Sequence, residues 1–118
     1  MKRMRKTYGC PVELSLDLLG GKWKPVILAR LKDRPLSYGE LRRLIPDLSD
    51  KVLTERLKGL QAQGLVARTR SSGKPARLSY ALTERGESLR PVLQALYEWG
   101  ERTAADLRVQ IRPAPDRE

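Results

Sequence analysis

Histidine is absent from the 118 residues of this chain, and cysteine occurs once, as Cys10. Histidine is the commonest general acid or base in enzymes, and histidine and cysteine are the usual zinc ligands. A glycine-rich phosphate-binding loop is also missing. The sequence therefore predicts no enzyme, no metal site and no cofactor. A lone cysteine excludes an intrachain disulfide, which fits a reducing compartment.

Long apolar runs are missing as well. No stretch approaches the ~18 residues that a membrane-spanning helix needs. The basic N-terminus is not followed by the apolar segment of a signal peptide. We therefore expect a cytoplasmic protein with no membrane partner. Its length, with 40% hydrophobic and 32% charged residues, predicts one domain around a single core.

Acidic residues are in the minority. The chain has 24 lysines and arginines against 14 aspartates and glutamates, a net charge of +10 and a pI near 10.3. Such a pI indicates a polyanionic partner, either nucleic acid or an anionic membrane. Residues 1–6 carry four positive and no negative charges, and residues 49–82 carry seven and two. Residues 83–118 are nearly neutral, so the excess lies in the N-terminal arm and the middle.

The middle of the chain begins with two helix-start signals. Ser37 and Glu40 have the spacing of a capping box, and Ser49 follows a turn at Pro46 as the N-cap of a second helix. Gly64 supplies the end of that helix. We predict two short helices joined by a tight turn.

Two short alternating runs follow. Residues 65–70 and 77–82 read as strands, and the Gly- and Pro-bearing loop between them makes a hairpin. Helix, turn, helix, strand, loop, strand in a basic chain is typical of DNA-binding proteins. The predicted fold class is therefore mainly α with a small β-hairpin (α+β), a winged helix-turn-helix.

The second of these helices has an apolar and a polar side. Leu53, Leu57 and Leu60 form a core stripe. The opposite polar side, with the N-cap, is our candidate DNA-reading surface: Ser49, Lys51, Thr54, Glu55 and Lys58. These side chains can reach phosphates and base edges. The alternative is an ordinary solvated face on which Lys51 and Glu55 form an i,i+4 pair.

The hairpin carries the second candidate contact. Four cations lie on it with no acidic residue between them: Arg68, Arg70, Lys74 and Arg77. A wing of this kind can reach the neighbouring minor groove or the backbone. The alternative is a solvated hairpin whose charges keep its edge strands from pairing.

Apolar helices flank the middle. Pro11 begins one that Gly20 ends, and it is so apolar that we expect burial on more than one side. A second begins around Pro25 and is interpreted as scaffold. Thr83 should cap a long final helix, which Pro91 kinks or breaks.

The chain resembles the HxlR-type winged helix-turn-helix regulators, which are related to the MarR group, over roughly residues 8–107. The matching pieces are Cys10–Glu13, Gly20–Lys24, SYGELRRLIP with Tyr38 at a Phe-type position, Ser49–Leu60, Gly64–Val66, Tyr80–Gly86 and Trp99-Gly100. The resemblance implies a dimeric bacterial regulator with the Ser49 helix in the major groove and the hairpin as wing. It also implies a dimer formed by the first and last helices, for which the candidate residues are Leu14, Leu18, Leu93, Leu96, Trp99 and Leu107.

Cys10 is a candidate sensor of oxidants or electrophiles. It precedes a helix N-terminus and follows four cationic side chains, and both features favour the thiolate. Some members of the resembled family sense through a cysteine at this position. With no second cysteine, the available products are an intersubunit disulfide, a mixed disulfide or an alkylated thiol. The alternative is an unreactive or buried thiol that merely caps the helix.

Two interpretations are open for three aromatic residues, Trp23, Tyr97 and Trp99. They could line a small-molecule effector pocket, or they could pack in the core or the dimer interface, which is the commoner fate of such aromatics.

We predict a homodimeric regulator that binds a pseudo-palindromic site in double-stranded DNA. The alternatives are a non-specific nucleic-acid binder and a winged helix used for protein–protein contact. Within the chain we expect a flexible basic arm over residues 1–9, the winged domain with its dimerisation helices over 10–107, and a polar tail over 108–118.

Overall fold

The computed structural model describes residues 4–112, and the predicted fold class is confirmed there. The elements in chain order are α1 Pro11–Leu19, α2 Trp23–Leu31, α3 Tyr38–Leu44, α4 Asp50–Ala62, β1 Val66–Arg70, β2 Leu78–Leu82, α5 Glu84–Glu87 and α6 Arg90–Leu107. None of the helices in these described residues is long and apolar enough to cross a membrane.

Both helix starts of the helix-turn-helix unit are confirmed. Ser37 Oγ accepts from the backbone N–H of Glu40 at 3.1 Å, and Glu40 Oε1 accepts from the backbone N–H of Ser37 at 2.9 Å. Ser49 Oγ accepts from the backbone N–H of Val52 at 3.2 Å, which caps α4. Gly64 then takes a φ of +75°, a conformation that glycine adopts without steric cost.

The hairpin is antiparallel and tied to the helices. Val66 pairs with Leu82 at its base, and Arg68 pairs with Tyr80. Leu36, between α2 and α3, exchanges two backbone hydrogen bonds with Tyr80, of 3.0 and 2.8 Å. The wing is therefore anchored to the α2–α3 linker as well as to α4.

The core lies between α2, α3, α4 and the base of the hairpin, with one residue from α6. Its buried side chains are Ile27, Leu28, Leu31, Leu36, Leu41, Leu44, Ile45, Leu48, Leu53, Leu57, Leu60, Leu65, Val66 and Leu93. The predicted stripe of α4 is thus confirmed. Leu93 is only 2% exposed in its own chain, so its assignment to the dimer interface is wrong. At this point α6 packs against α2.

The long final helix is two helices. Thr83 does act as a cap, since its Oγ1 accepts from the backbone N–H of Gly86 at 3.0 Å, but the helix it starts ends at Glu87. The separate α6 begins at Arg90 and carries Pro91 in its first turn. A proline fits there because its missing N–H would have no intrahelical partner. Pro91 therefore marks a break, one of its two predicted effects.

Residues near both ends of the described range 4–112 contact the rest of the chain. Tyr8 Oη donates to Asp17 Oδ2 of α1 at 2.8 Å, and the Arg5 guanidinium lies over the Tyr8 ring. Arg112 Nη2 donates to Asp47 Oδ2 at 3.0 Å, at the α3–α4 turn. The rest of the predicted arm and tail, residues 1–3 and 113–118, lies outside the described residues, and the domain division stays a prediction.

Candidate nucleic-acid interface

The polar side of α4 is open to solvent along its length. Exposed residues on it are Ser49, Lys51, Thr54, Glu55 and Lys58. Directly opposite, Leu53, Leu57 and Leu60 are buried. Because the apolar stripe holds one side of α4 against the core, the other side must face outward. The structure therefore brings the five candidate side chains onto one accessible surface, and their contact with DNA stays a prediction.

A polar cluster at the start of α4 was missed by the sequence analysis. Tyr38 Oη lies 2.9 Å from Asp50 Oδ1 and 3.3 Å from Thr54 Oγ1. Arg42 Nε lies 2.9 Å from Asp50 Oδ1, and its guanidinium also donates to the Leu48 carbonyl. These residues lie on two helices, so no periodicity along the chain connects them.

The wing presents its cations to solvent. Exposed on it are Arg68, Arg70, Lys74 and Arg77. Ser71 and Arg77 close the loop, because the N–H of Ser71 donates to the Arg77 carbonyl at 2.9 Å and the N–H of Arg77 donates to Ser71 Oγ at 2.9 Å. No carboxylate of residues 4–112 forms an ion pair with any of the four. Their charge is therefore available to an anion.

A cleft of about 720 Å³ beside α4 adds two cations that the sequence analysis did not single out. Lys24 and Arg56 line it, and Lys24 Nζ donates to Gln63 Oε1 at 3.0 Å. Burial lowers the pKa of Lys24, and the charge of Arg56 lowers it further. Arg56 Nε is buried without a hydrogen-bond partner in the described chain. Asp17 and Glu55 line the same cleft, so its lining carries charges of both signs.

Cys10 caps α1 and is exposed. Its Sγ accepts from the backbone N–H of Val12 at 3.4 Å. A buried thiol is excluded, and the capping role is confirmed. Capping and reactivity do not exclude each other, so sensing stays a prediction.

The apolar residues of α1 and α6 face solvent in the single chain. None of the nine residues of α1 is buried, and Leu16 is 63% exposed. Exposed interface candidates are Leu14, Leu96, Trp99 and Leu107, whereas Leu18 is half-buried beside a groove of about 130 Å³ between α1 and α6. Of the three aromatics, Trp23 packs against the core, and Tyr97 and Trp99 are exposed on α6.

Residues 18–107 match the HxlR-like helix-turn-helix family, over helices α2–α6 and the wing. The chain belongs to this family. As an HxlR-like protein it is a DNA-binding transcriptional regulator and not an enzyme, which confirms both predictions and the resemblance found in the sequence.

Similar proteins and solved structures align with most of this HxlR-like chain. An uncharacterized HTH-type transcriptional regulator of Methanothermobacter thermautotrophicus is 43% identical over 94 residues, which are 80% of this chain and 72% of the relative. The redox regulator HypR in its oxidized form has a TM-score of 0.72 at 39% identity, covering 79% of this chain and 96% of HypR. Quinone-bound YodB from Bacillus subtilis has a TM-score of 0.65 at 35% identity, covering 79% and 99%.

Proposed function

We propose that this HxlR-like regulator binds a pseudo-palindromic site in double-stranded DNA as a homodimer, in the cytoplasm. The observation that carries the proposal is the exposed polar side of α4, held outward by its buried leucines. Each α4 would enter a major groove, and the two would lie about one helical turn (~34 Å) apart. The wing cations would contact the adjacent backbone or minor groove.

The dimer is supported by what the single chain leaves uncovered. An isolated helix as short as α1 is not stable in water by itself, and its apolar side chains are exposed along most of its length. Contiguous exposed apolar surface marks an interaction site. A second copy that covers α1 and α6 would stabilise α1 and bury this apolar surface. A small change at that interface would alter the spacing of the two α4 helices and so the affinity for DNA.

Selection from random double-stranded DNA, followed by competition at several salt concentrations, tests the proposal. We expect a two-fold symmetric motif and a discrimination against random DNA of 10³-fold or more, on the order found for specific regulators. Binding that depends on salt but selects no motif would instead support the non-specific alternative. Lys51→Ala should relax base preference, whereas Lys74→Ala should weaken all sequences alike.

Cys10 supports a second part of the proposal, a response to oxidants or electrophiles. Its thiol is exposed at the N-terminus of α1. The solved relatives include a redox regulator and a quinone-bound protein. On a quinone, the Cys10 thiolate would form an S–C bond, and the ring would take up a proton to become a hydroquinone. The bulky ring would then sit on the sulfur that accepts from Val12, at the helix we assign to the dimer.

Quinone treatment followed by mass spectrometry and DNA titration tests this part. We expect one adduct per chain, at Cys10, and weaker operator binding. Cys10→Ser should bind the operator normally and ignore the quinone. An adduct that leaves DNA binding unchanged would reduce Cys10 to a capping residue.

A further inference from the structure

A chain of polar contacts links α3 to the exposed side of α4. Tyr38 Oη lies 2.9 Å from Asp50 Oδ1, 3.2 Å from the Asp50 backbone carbonyl oxygen and 3.3 Å from Thr54 Oγ1. Arg42 Nε lies 2.9 Å from the same Asp50 Oδ1. Thr54 is at once the end of this chain and one of the candidate DNA-reading residues.

The hydrogens in these contacts have only one arrangement. A carboxylate and a backbone carbonyl can only accept hydrogen bonds, so the single hydroxyl hydrogen of Tyr38 is donated to Asp50. The Arg42 guanidinium only donates, and it holds the carboxylate from another side. Toward Thr54, therefore, Tyr38 Oη acts as the acceptor. The single hydroxyl hydrogen of Thr54 points at Tyr38.

We propose that this arrangement makes Thr54 a pure hydrogen-bond acceptor toward DNA and so selects an amino base at one position of each half-site. In the major groove, adenine N6 and cytosine N4 donate hydrogen bonds, whereas guanine O6 and thymine O4 accept them. An oxygen whose hydrogen is already donated elsewhere can bond the first two bases and opposes a lone pair on the other two. The same arrangement prevents Thr54 from donating to a DNA phosphate.

Tyr38 is the positioning residue in this scheme. It sets the direction of the Thr54 hydroxyl hydrogen without contacting a base. Asp50, held by Arg42, in turn sets the direction of the Tyr38 hydroxyl hydrogen. The inference rests on the proposed function, because it requires the exposed side of α4 to lie in the major groove.

Selection of DNA sites by the wild type, Thr54→Val and Tyr38→Phe tests the inference. The wild type should prefer adenine or cytosine over guanine or thymine at one position of each half-site. Thr54→Val keeps the shape of the side chain without the hydroxyl. The preference for adenine or cytosine at that position should fall about fivefold, the factor that one hydrogen bond contributes. Tyr38→Phe frees the Thr54 hydrogen and should admit guanine or thymine at that position alone. Tyr97→Phe makes the same change on α6, away from α4, and should leave the base preference at that position unchanged.

A second variant covers the case in which Tyr38→Phe does not fold, which thermal unfolding would reveal. Asp50→Ala removes the carboxylate that accepts from Tyr38, so the Tyr38 hydroxyl can turn its hydrogen toward Thr54. The same position should lose its preference, while affinity for all sequences rises because a negative charge has gone.

The outcomes separate this inference from the proposed function. A wild type that selects no motif overturns both. A wild type that selects a motif, with Tyr38→Phe and Asp50→Ala leaving every position unchanged, overturns the inference alone. A guanine or thymine preference at the position that Thr54→Val affects overturns it as well.

Discussion

The two apolar regions of this chain differ in where their partners lie. The helix-turn-helix unit buries its leucines within the chain, and Leu53 is fully buried. Helices α1 and α6 leave theirs exposed, with Leu16 at 63% and Leu96 at 50%. This difference is the basis of our proposal that a second copy covers α1 and α6.

The largest expected effect is in the core. Leu53→Ala should lower the free energy of unfolding by about 2–5 kcal/mol, the range for a leucine removed from a packed core. Urea unfolding measures this decrease in the free energy of unfolding. The decrease should be the same at low and at high protein concentration. Leu16→Ala on α1 is the matched control: its loss should grow with concentration, as a dimer contact requires. Equal behaviour of the two variants would contradict the comparison.

The next effect concerns the dimer itself. Leu96→Asp places a charge on the exposed apolar side of α6 and should weaken dimerisation by about 2 kcal/mol or more, as the loss of a central interface side chain does. Sedimentation equilibrium gives the dissociation constant. Gln94→Asp adds the same charge at an exposed polar position of α6 and should leave it nearly unchanged. A monomeric wild type would remove the basis of this prediction.

A smaller effect is expected where the two regions join. Gly86 in α5 packs against the Leu65 carbonyl so closely that a Cβ atom would collide with it. Gly86→Ala should therefore destabilise the chain by about 1–3 kcal/mol. Gly39→Ala in α3, where a Cβ meets open space, should stabilise it by about 0.5–1 kcal/mol. Thermal unfolding distinguishes the two variants. If both were less stable than the wild type, the prediction that α3 has room for a Cβ atom at Gly39 would be wrong.

The smallest effect is a pH dependence within the helix-turn-helix unit. The backbone N–H of Ser37 lowers the pKa of Glu40 below its ordinary 4.5, against an opposing effect of burial and with help from Arg34. The carboxylate therefore stabilises the fold above pH 4.5, and this contribution, about 1 kcal/mol or less, is lost as pH falls through the lowered pKa. Glu40→Gln keeps a capping side chain without a titrating charge. Its deficit at pH 7 should vanish at low pH, and a constant deficit would contradict the assignment.

Local signals explain why much of the fold could be predicted. The capping box of α3, the Ser49 cap and the glycine at the end of α4 each involve residues a few positions apart. The same kind of reasoning failed at the last helix, because a cap at Thr83 shows where a helix begins and not how far it continues. Leu93 was misplaced for a similar reason: the period of α6 shows which residues share a side, and only packing against α2 decides which side is covered.

The sequence by itself determined the order of the elements, the buried stripe of α4 and the positive charge of the wing, since these depend on neighbours along the chain. Only the tertiary structure decided that Tyr38, Arg42 and Asp50 meet beside Thr54, and that Lys24 and Arg56 line one cleft. Those contacts join separate helices, and their geometry follows from how the helices pack. Residue types and their spacing along the chain do not predict that packing.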